Sequence, residues 1–181
     1  MVPPVSEPKV VFAQSMEGLY RALAPHTPEE KAAFLRAGVK GDHFAAGYSI
    51  ETWLELLDAC ANSRFAHLPE LERYTAVGRL FFLGFEKTLM GSALLALLKV
   101  IGPRRMLDRL TRNFRSANNF TVGTLTSLAP NHHRLHINFT ARPGFYLGVI
   151  ESGCQRAGAA GLSVTALESN EQGTTYEVKW S

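Results

Sequence analysis

The chain has 181 residues, 46% of them hydrophobic and 19% charged, a globular balance that excludes disorder and suits one domain with a real core. A net charge of +3 is too small to make the whole surface a nucleic-acid binder. Cys60 and Cys154 are the only cysteines; far apart and without a CxxC partner, they read as reduced and buried. That argues for a cytoplasmic protein and against a zinc site.

The opening MVPPVSEPKVVF has no apolar run long enough for a signal peptide. The longest such run, residues 93–98, is far short of a membrane span. Residues 1–8 are proline-rich and read as a flexible segment. The rest, 9–181, reads as one domain, mainly helical over 9–117 and ββαββ over 118–181.

KVVFAQ, residues 9–14, is β-branched enough for a short strand. Ser15 is placed to cap a short helix, MEGLYRAL, that Pro25 ends. Thr27-Pro28-Glu29-Glu30 is a strong helix start, and Gly38 is placed to stop that helix. After a loop over 40–48, Ser49 caps a helix that buries Ile50, Trp53, Leu54, Leu57 and Ala61.

Residues 68–85 are helical by period, with Leu71, Tyr74, Val77, Gly78, Phe81 and Phe82 inward. So many aromatics imply a thick core or a pocket wall, with the core the first expectation. TLMGSALLALLKVI, 88–101, is apolar nearly all round and reads as a central buried helix. Gly102-Pro103 then starts a basic amphipathic helix. Arg104, Arg105, Arg109, Arg112 and Arg115 fall within roughly 140° of arc, opposite Met106, Leu107, Leu110 and Phe114 within roughly 100°.

Beyond Asn118 the period turns to alternation. Strands over 120–130 and 134–140 make a hairpin about Asn131-His132. Pro143-Gly144 opens a helix whose Gly148 and Gly153 permit close packing. Strands 162–168 and 174–180 close a second hairpin. The fold class is α+β: a helical N-terminal half, then an antiparallel ββαββ sheet with a helix packed on it.

Catalytic signatures are missing. There is no GxSxG, Walker loop, HExxH or GxGxxG, so no catalytic residue is assigned and the chain reads as a non-enzyme. His132, His133 and His136 surround Arg134, a poor neighbour for a metal, and read as a solvated hairpin. Glu86 and Asp108 read as ion-pair partners of arginines.

Several of these stretches resemble the heme-nitric oxide/oxygen-binding (H-NOX) domain. YSIETW, LELLDAC and AVGRLFFLGF are similar to that fold's middle helices, and LGVIESG to its tail. LDRLT, 107–111, looks like the family's Leu-Asp-x-Leu-His, with Thr111 where the heme-ligating histidine stands. NFTAR, 138–142, falls where the family's Tyr-x-Ser-x-Arg holds the propionates: Asn138 replaces the tyrosine, Thr140 keeps a hydroxyl and Arg142 keeps the arginine. A closer resemblance, through GPRRMLDRLTRNFRSANNF and GVIESG…VKW, is to an uncharacterised family found largely in myxobacteria. A more distant one is to the vinyl-reductase-like and transport-complex fold.

The resemblance implies a cavity without its iron ligand, since a threonine hydroxyl binds iron poorly where an imidazole binds well. No heme and no other cofactor is therefore expected. The expected function is a sensory or regulatory module for a small apolar or anionic ligand, held by Leu107, Leu110, Thr111, Phe114, Asn138, Thr140 and Arg142. Arg142 is suited to the ligand's anionic end. The alternatives are docking of an acidic protein partner, or an anionic membrane surface, on Arg104, Arg105, Arg109, Arg112 and Arg115, and a heme gas sensor with a substituted ligand, for which His43 and His67 are candidates. A nucleic-acid groove is not expected, because few aromatics interleave the arginines.

Overall fold

The computed structural model describes residues 7–181, apart from the side chains of residues 89–91, 94, 95 and 99. Most of the segment expected to be flexible, 1–8, thus lies outside the described residues. A short strand β1 (Val10–Phe12) pairs antiparallel with β2 (Gly47–Ser49). β1 also ties the chain's start to its middle: the Val10 N–H donates to Asn119 Oδ1 at 2.8 Å, and the Asn119 N–H donates back to the Val10 carbonyl at 3.1 Å.

Helix α1 (Ala13–Ala22) begins earlier than its capping signal predicts. Ser15 lies inside it, buried, and donates to the Ala117 carbonyl at 3.1 Å. The strand feeds directly into the helix, so no side chain caps it. By contrast α2 (Pro28–Arg36) starts as its signal says, with Thr27 and Glu30 forming a reciprocal capping box. Gly38 follows at φ +79°, a conformation that favours glycine. Ser49 caps α3 (Ile50–Phe65) through the Thr52 N–H at 3.2 Å.

α4 (Glu70–Phe85) buries Tyr74, Val77 and Phe82, but Leu71 is exposed. α5 (Leu89–Ala117) bends at Gly102, whose φ of 79° and ψ of 168° interrupt the helix. Its first arm is not buried all round. Val100 is 82% exposed, Ala93 and Ala96 are exposed as well, and Leu98 is buried. Most of the described side chains of this arm are exposed, so continuous apolarity here does not mark a central helix. The second arm buries Met106, Leu107 and Phe114 and leaves all five arginines exposed. No helix among the described residues is long and apolar enough to cross a membrane.

The sheet contains β3 (Gly123–Ala129), β4 (His132–Ile137), β5 (Ser163–Asn170) and β6 (Gly173–Lys179), all antiparallel in the order β3-β4-β6-β5. Its first turn is Pro130-Asn131, so His132 already belongs to a strand. Leu135, Ile137, Tyr176 and Val178 form its dry face. The histidines are not a solvated set. His133 is fully buried, stacked on Trp180 at 4.9 Å, while His132 on the other face pairs with Glu177 at 2.8 Å. Alternation explains the split.

Helix α6 (Pro143–Arg156) packs against α4, α5 and β5. At its crossing with α4 a methyl on Gly148 would overlap the Thr75 carbonyl, and one on Gly78 would overlap the Phe145 carbonyl. The two backbones touch there, which only glycine permits.

Candidate functional site

The close α4–α6 contact fixes two helices side by side, and α1, α3 and α5 pack against the pair. Between them lies a cavity of about 410 Å³, within the range of small-molecule sites. α3 contributes Trp53, Leu54 and Leu57; α4 contributes Phe81, Phe82 and Phe85; α6 contributes Phe145, Tyr146 and Val149. The aromatic run of α4 is therefore pocket wall more than core.

The rings around Phe145 form one connected set. Phe145 lies 5.3 Å from Phe81, 5.5 Å from Tyr146 and 5.9 Å from Trp53. Phe114 meets Tyr146 edge to face at 5.9 Å, and Phe120 meets Phe139 at 5.1 Å. Edge-to-face pairs hold ring planes in fixed relative directions, so the wall has a defined shape without a ligand.

From α5 the lining residues are Arg109, Leu110, Asn113, Phe114, Ser116 and Ala117, together with Ala93 and Leu97 of the first arm. The six in the second arm recur at the spacing of one helical face. Leu107 and Thr111 fall beside that face and do not line the cavity: Leu107 is fully buried core, and the Thr111 hydroxyl donates to the Asp108 carbonyl at 2.8 Å. A methyl on Gly123 of β3 would come 3.1 Å from Thr111 Cγ2, so Thr111 sits against the sheet.

Asn138 and Thr140 are also outside the lining. Asn138 clips two backbones together, accepting from the Val122 N–H at 2.7 Å and donating to the Phe120 carbonyl at 3.1 Å. Thr140 bonds Thr174 at 2.5 Å. Of the seven side chains expected to hold a ligand, Leu110, Phe114 and Arg142 line the cavity.

Arg142 reaches the cavity already occupied. Its Nε and Nη2 donate to the two carboxylate oxygens of Asp58 on α3, at 2.8 and 2.6 Å. The Tyr74 hydroxyl donates to the same carboxylate at 2.6 Å, and Arg142 lies 5.3 Å from the Tyr74 ring centre. Burial works against the Asp58 charge, but the Arg142 guanidinium and the Tyr74 hydroxyl outweigh it and hold the carboxyl below its usual range. The sequence offers the α4 aromatics as core or pocket wall, with core first, and does not mark Asp58. The aromatic density of α4 was the available signal; nothing local marks Asp58 as the partner of a residue 84 positions away.

The five arginines of α5 carry no ion pair with an acid among the described residues; Arg112 donates to the Asp108 carbonyl at 3.2 Å. Glu86 is paired, with Arg156 at 2.6 Å. Among the described residues no three acids, histidines or cysteines converge on a metal-sized site.

The fold family's heme finds no matching axial donor among the described lining residues. Among the described lining residues there is no histidine, cysteine or methionine, the usual axial ligands. His43 and His67 are both exposed and line nothing in the cavity. Tyr146 is engaged with Thr121 at 3.3 Å, and burial pushes its phenol up, keeping the proton on. The described lining residues supply no axial histidine, cysteine or methionine to a heme.

The fold matches solved H-NOX structures along nearly its whole length. An Fe(II)NO H-NOX protein from S. oneidensis superposes with a TM-score of 0.70 at 9% identity, covering 94% of this chain and 99% of that one. An Fe(II) unliganded H-NOX protein from K. algicida gives 0.60 at 13% identity, covering 93% and 95%. A doubly substituted Tt H-NOX variant gives 0.64 at 14% identity, covering 94% and 95%. Identities this low establish an H-NOX-like fold and nothing finer. No curated protein matches the sequence. A family model does, across residues 9–181, and the chain accordingly belongs to the family described as "Protein of unknown function (DUF2378)".

Proposed function

We propose that this protein is a sensory or regulatory module that binds a small, largely apolar molecule without heme. The reading rests on the 410 Å³ cavity, which is walled by linked aromatic rings and offers iron no imidazole, thiolate or thioether among its described residues. Solved neighbours of the same fold include H-NOX proteins in Fe(II) states. In this chain the same architecture holds an apolar chamber that keeps its shape through ring contacts. An occupant removes apolar surface from water on both sides, which drives binding.

Native mass spectrometry of protein purified from its own host tests the reading, together with hemin titration. The expected result is a retained organic molecule and no heme band after hemin is added and the protein desalted. A strong heme band overturns the heme-free part. A bare protein that also fails to take up apolar probes overturns the whole reading.

A second reading has one observation in its favour: five arginines stand exposed on one helix without acidic partners among the described residues. That face suits docking of an acidic protein, an electrostatic and salt-sensitive association.

A further inference from the structure

The cavity's two arginines are in opposite conditions, and the difference names the ligand class. Arg142 is spent on Asp58, two donors on two oxygens, with Tyr74 fixing the same carboxylate. A ligand carboxylate at Arg142 would have to displace an anion already in place. Arg109 also lines the cavity, yet no side chain among the described residues accepts a hydrogen bond from it. Asn113, four residues further along the same helical face, lines the cavity too, and its amide has no hydrogen-bond partner among the described residues. Positions i and i+4 are neighbours on a helix, so a guanidinium and an amide stand together at the rim. Asp108 follows another face and does not line the cavity, and no acid does among the described residues.

From this we infer that the occupant is an amphiphile with a single carboxylate, its apolar body among Trp53, Phe81 and Phe145 and its head on Arg109 and Asn113. The charge count sets the valence. Among the described lining residues one guanidinium is neutralised and one is not, so they compensate one negative charge. Arg109 matches a carboxylate in shape, because its planar fork meets two oxygens at once, and the Asn113 amide adds a further donor. Arg109 is also separated in role from the other four arginines of the basic face, none of which lines the cavity.

The inference rests on the cavity being a ligand site, and its test separates the two claims. Decanoate and 1-decanol, matched in chain length, are titrated calorimetrically into the full chain at low salt. Decanoate is expected to bind about tenfold more tightly than decanol, the scale of one charge-assisted contact at a rim. Arg109→Gln should erase that preference while the chain still binds decanol; Asn113→Ala should reduce it; Arg105→Gln should leave both ligands as they are. Decanol binding without a decanoate preference, or a preference that survives Arg109→Gln, overturns the inference while the cavity reading stands. Loss of both ligands in a normally folded Arg109→Gln chain also overturns it. If neither amphiphile binds the native chain, the cavity reading fails and the inference fails with it.

Discussion

The two arginines that line the cavity are in opposite electrostatic states. Arg142, Asp58 and Tyr74 form a closed set joining the segment before α6 to α3 and α4. Arg109 is exposed on α5 and has no acidic partner among the described residues. The first is structural: it ties together segments distant in the chain, and its charge is matched by Asp58. The second has no such tie. An arginine's availability is thus set by what the fold brings beside it, and a motif match reports only that the arginine is there.

The aromatic wall should give the largest effect. Trp53 is 8% exposed and touches Phe81 and Phe145. Trp53→Ala should cost about 3 kcal/mol, near the lower end for a buried tryptophan because it opens into an existing void. Urea unfolding followed by circular dichroism checks this; a loss below about 1 kcal/mol would mean the wall is not packed as described.

The contrast between the two arginines is sharpened by removing Asp58 from one and the guanidinium of the other. Asp58→Ala leaves the part-buried Arg142 guanidinium without its two acceptors and should cost about 2 kcal/mol. Arg109→Gln should change stability by less than about 0.5 kcal/mol, as surface substitutions do. Equal losses from the two variants would erase the distinction between a structural and a free arginine.

A smaller effect should appear on acidification. The Asp58 carboxyl is held below its usual range in the folded chain, so the unfolded chain binds its proton first as pH falls. Its contribution is fully present above the ordinary carboxyl range and is lost as pH drops through the folded value. Asp58→Asn should therefore flatten the acid limb of a stability–pH curve measured by urea unfolding between about pH 7 and 3. An unchanged acid limb would show that the pair does not form in solution.

Much of the architecture is legible one segment at a time. The Thr27–Glu30 capping box, Ser49, the Gly102 break and the strand alternation of Leu135 and Ile137 are all local signals, and the elements they mark appear where expected. Two readings went astray for the same reason. The 88–101 stretch looked buried because it is apolar, and His133 looked solvated because it is polar; neither property says what packs on either side. The candidate site was legible only in outline. Leu110, Phe114 and Arg142 line the cavity, whereas Thr111 turns toward Gly123 and Asn138 clips backbone. Correspondence with a family motif carries a position along the helix, but at about 100° per residue a neighbouring position faces another way.

What the sequence determined by itself was the set of elements, their order and the basic face of one helix, because capping, period and charge are properties of adjacent residues. Which face of that helix meets the cavity, which arginine is neutralised, and that an aromatic run encloses space were decided only by tertiary structure. Each depends on residues far apart in the chain, such as Asp58 beside Arg142, meeting within hydrogen-bond reach, and no local pattern encodes that encounter.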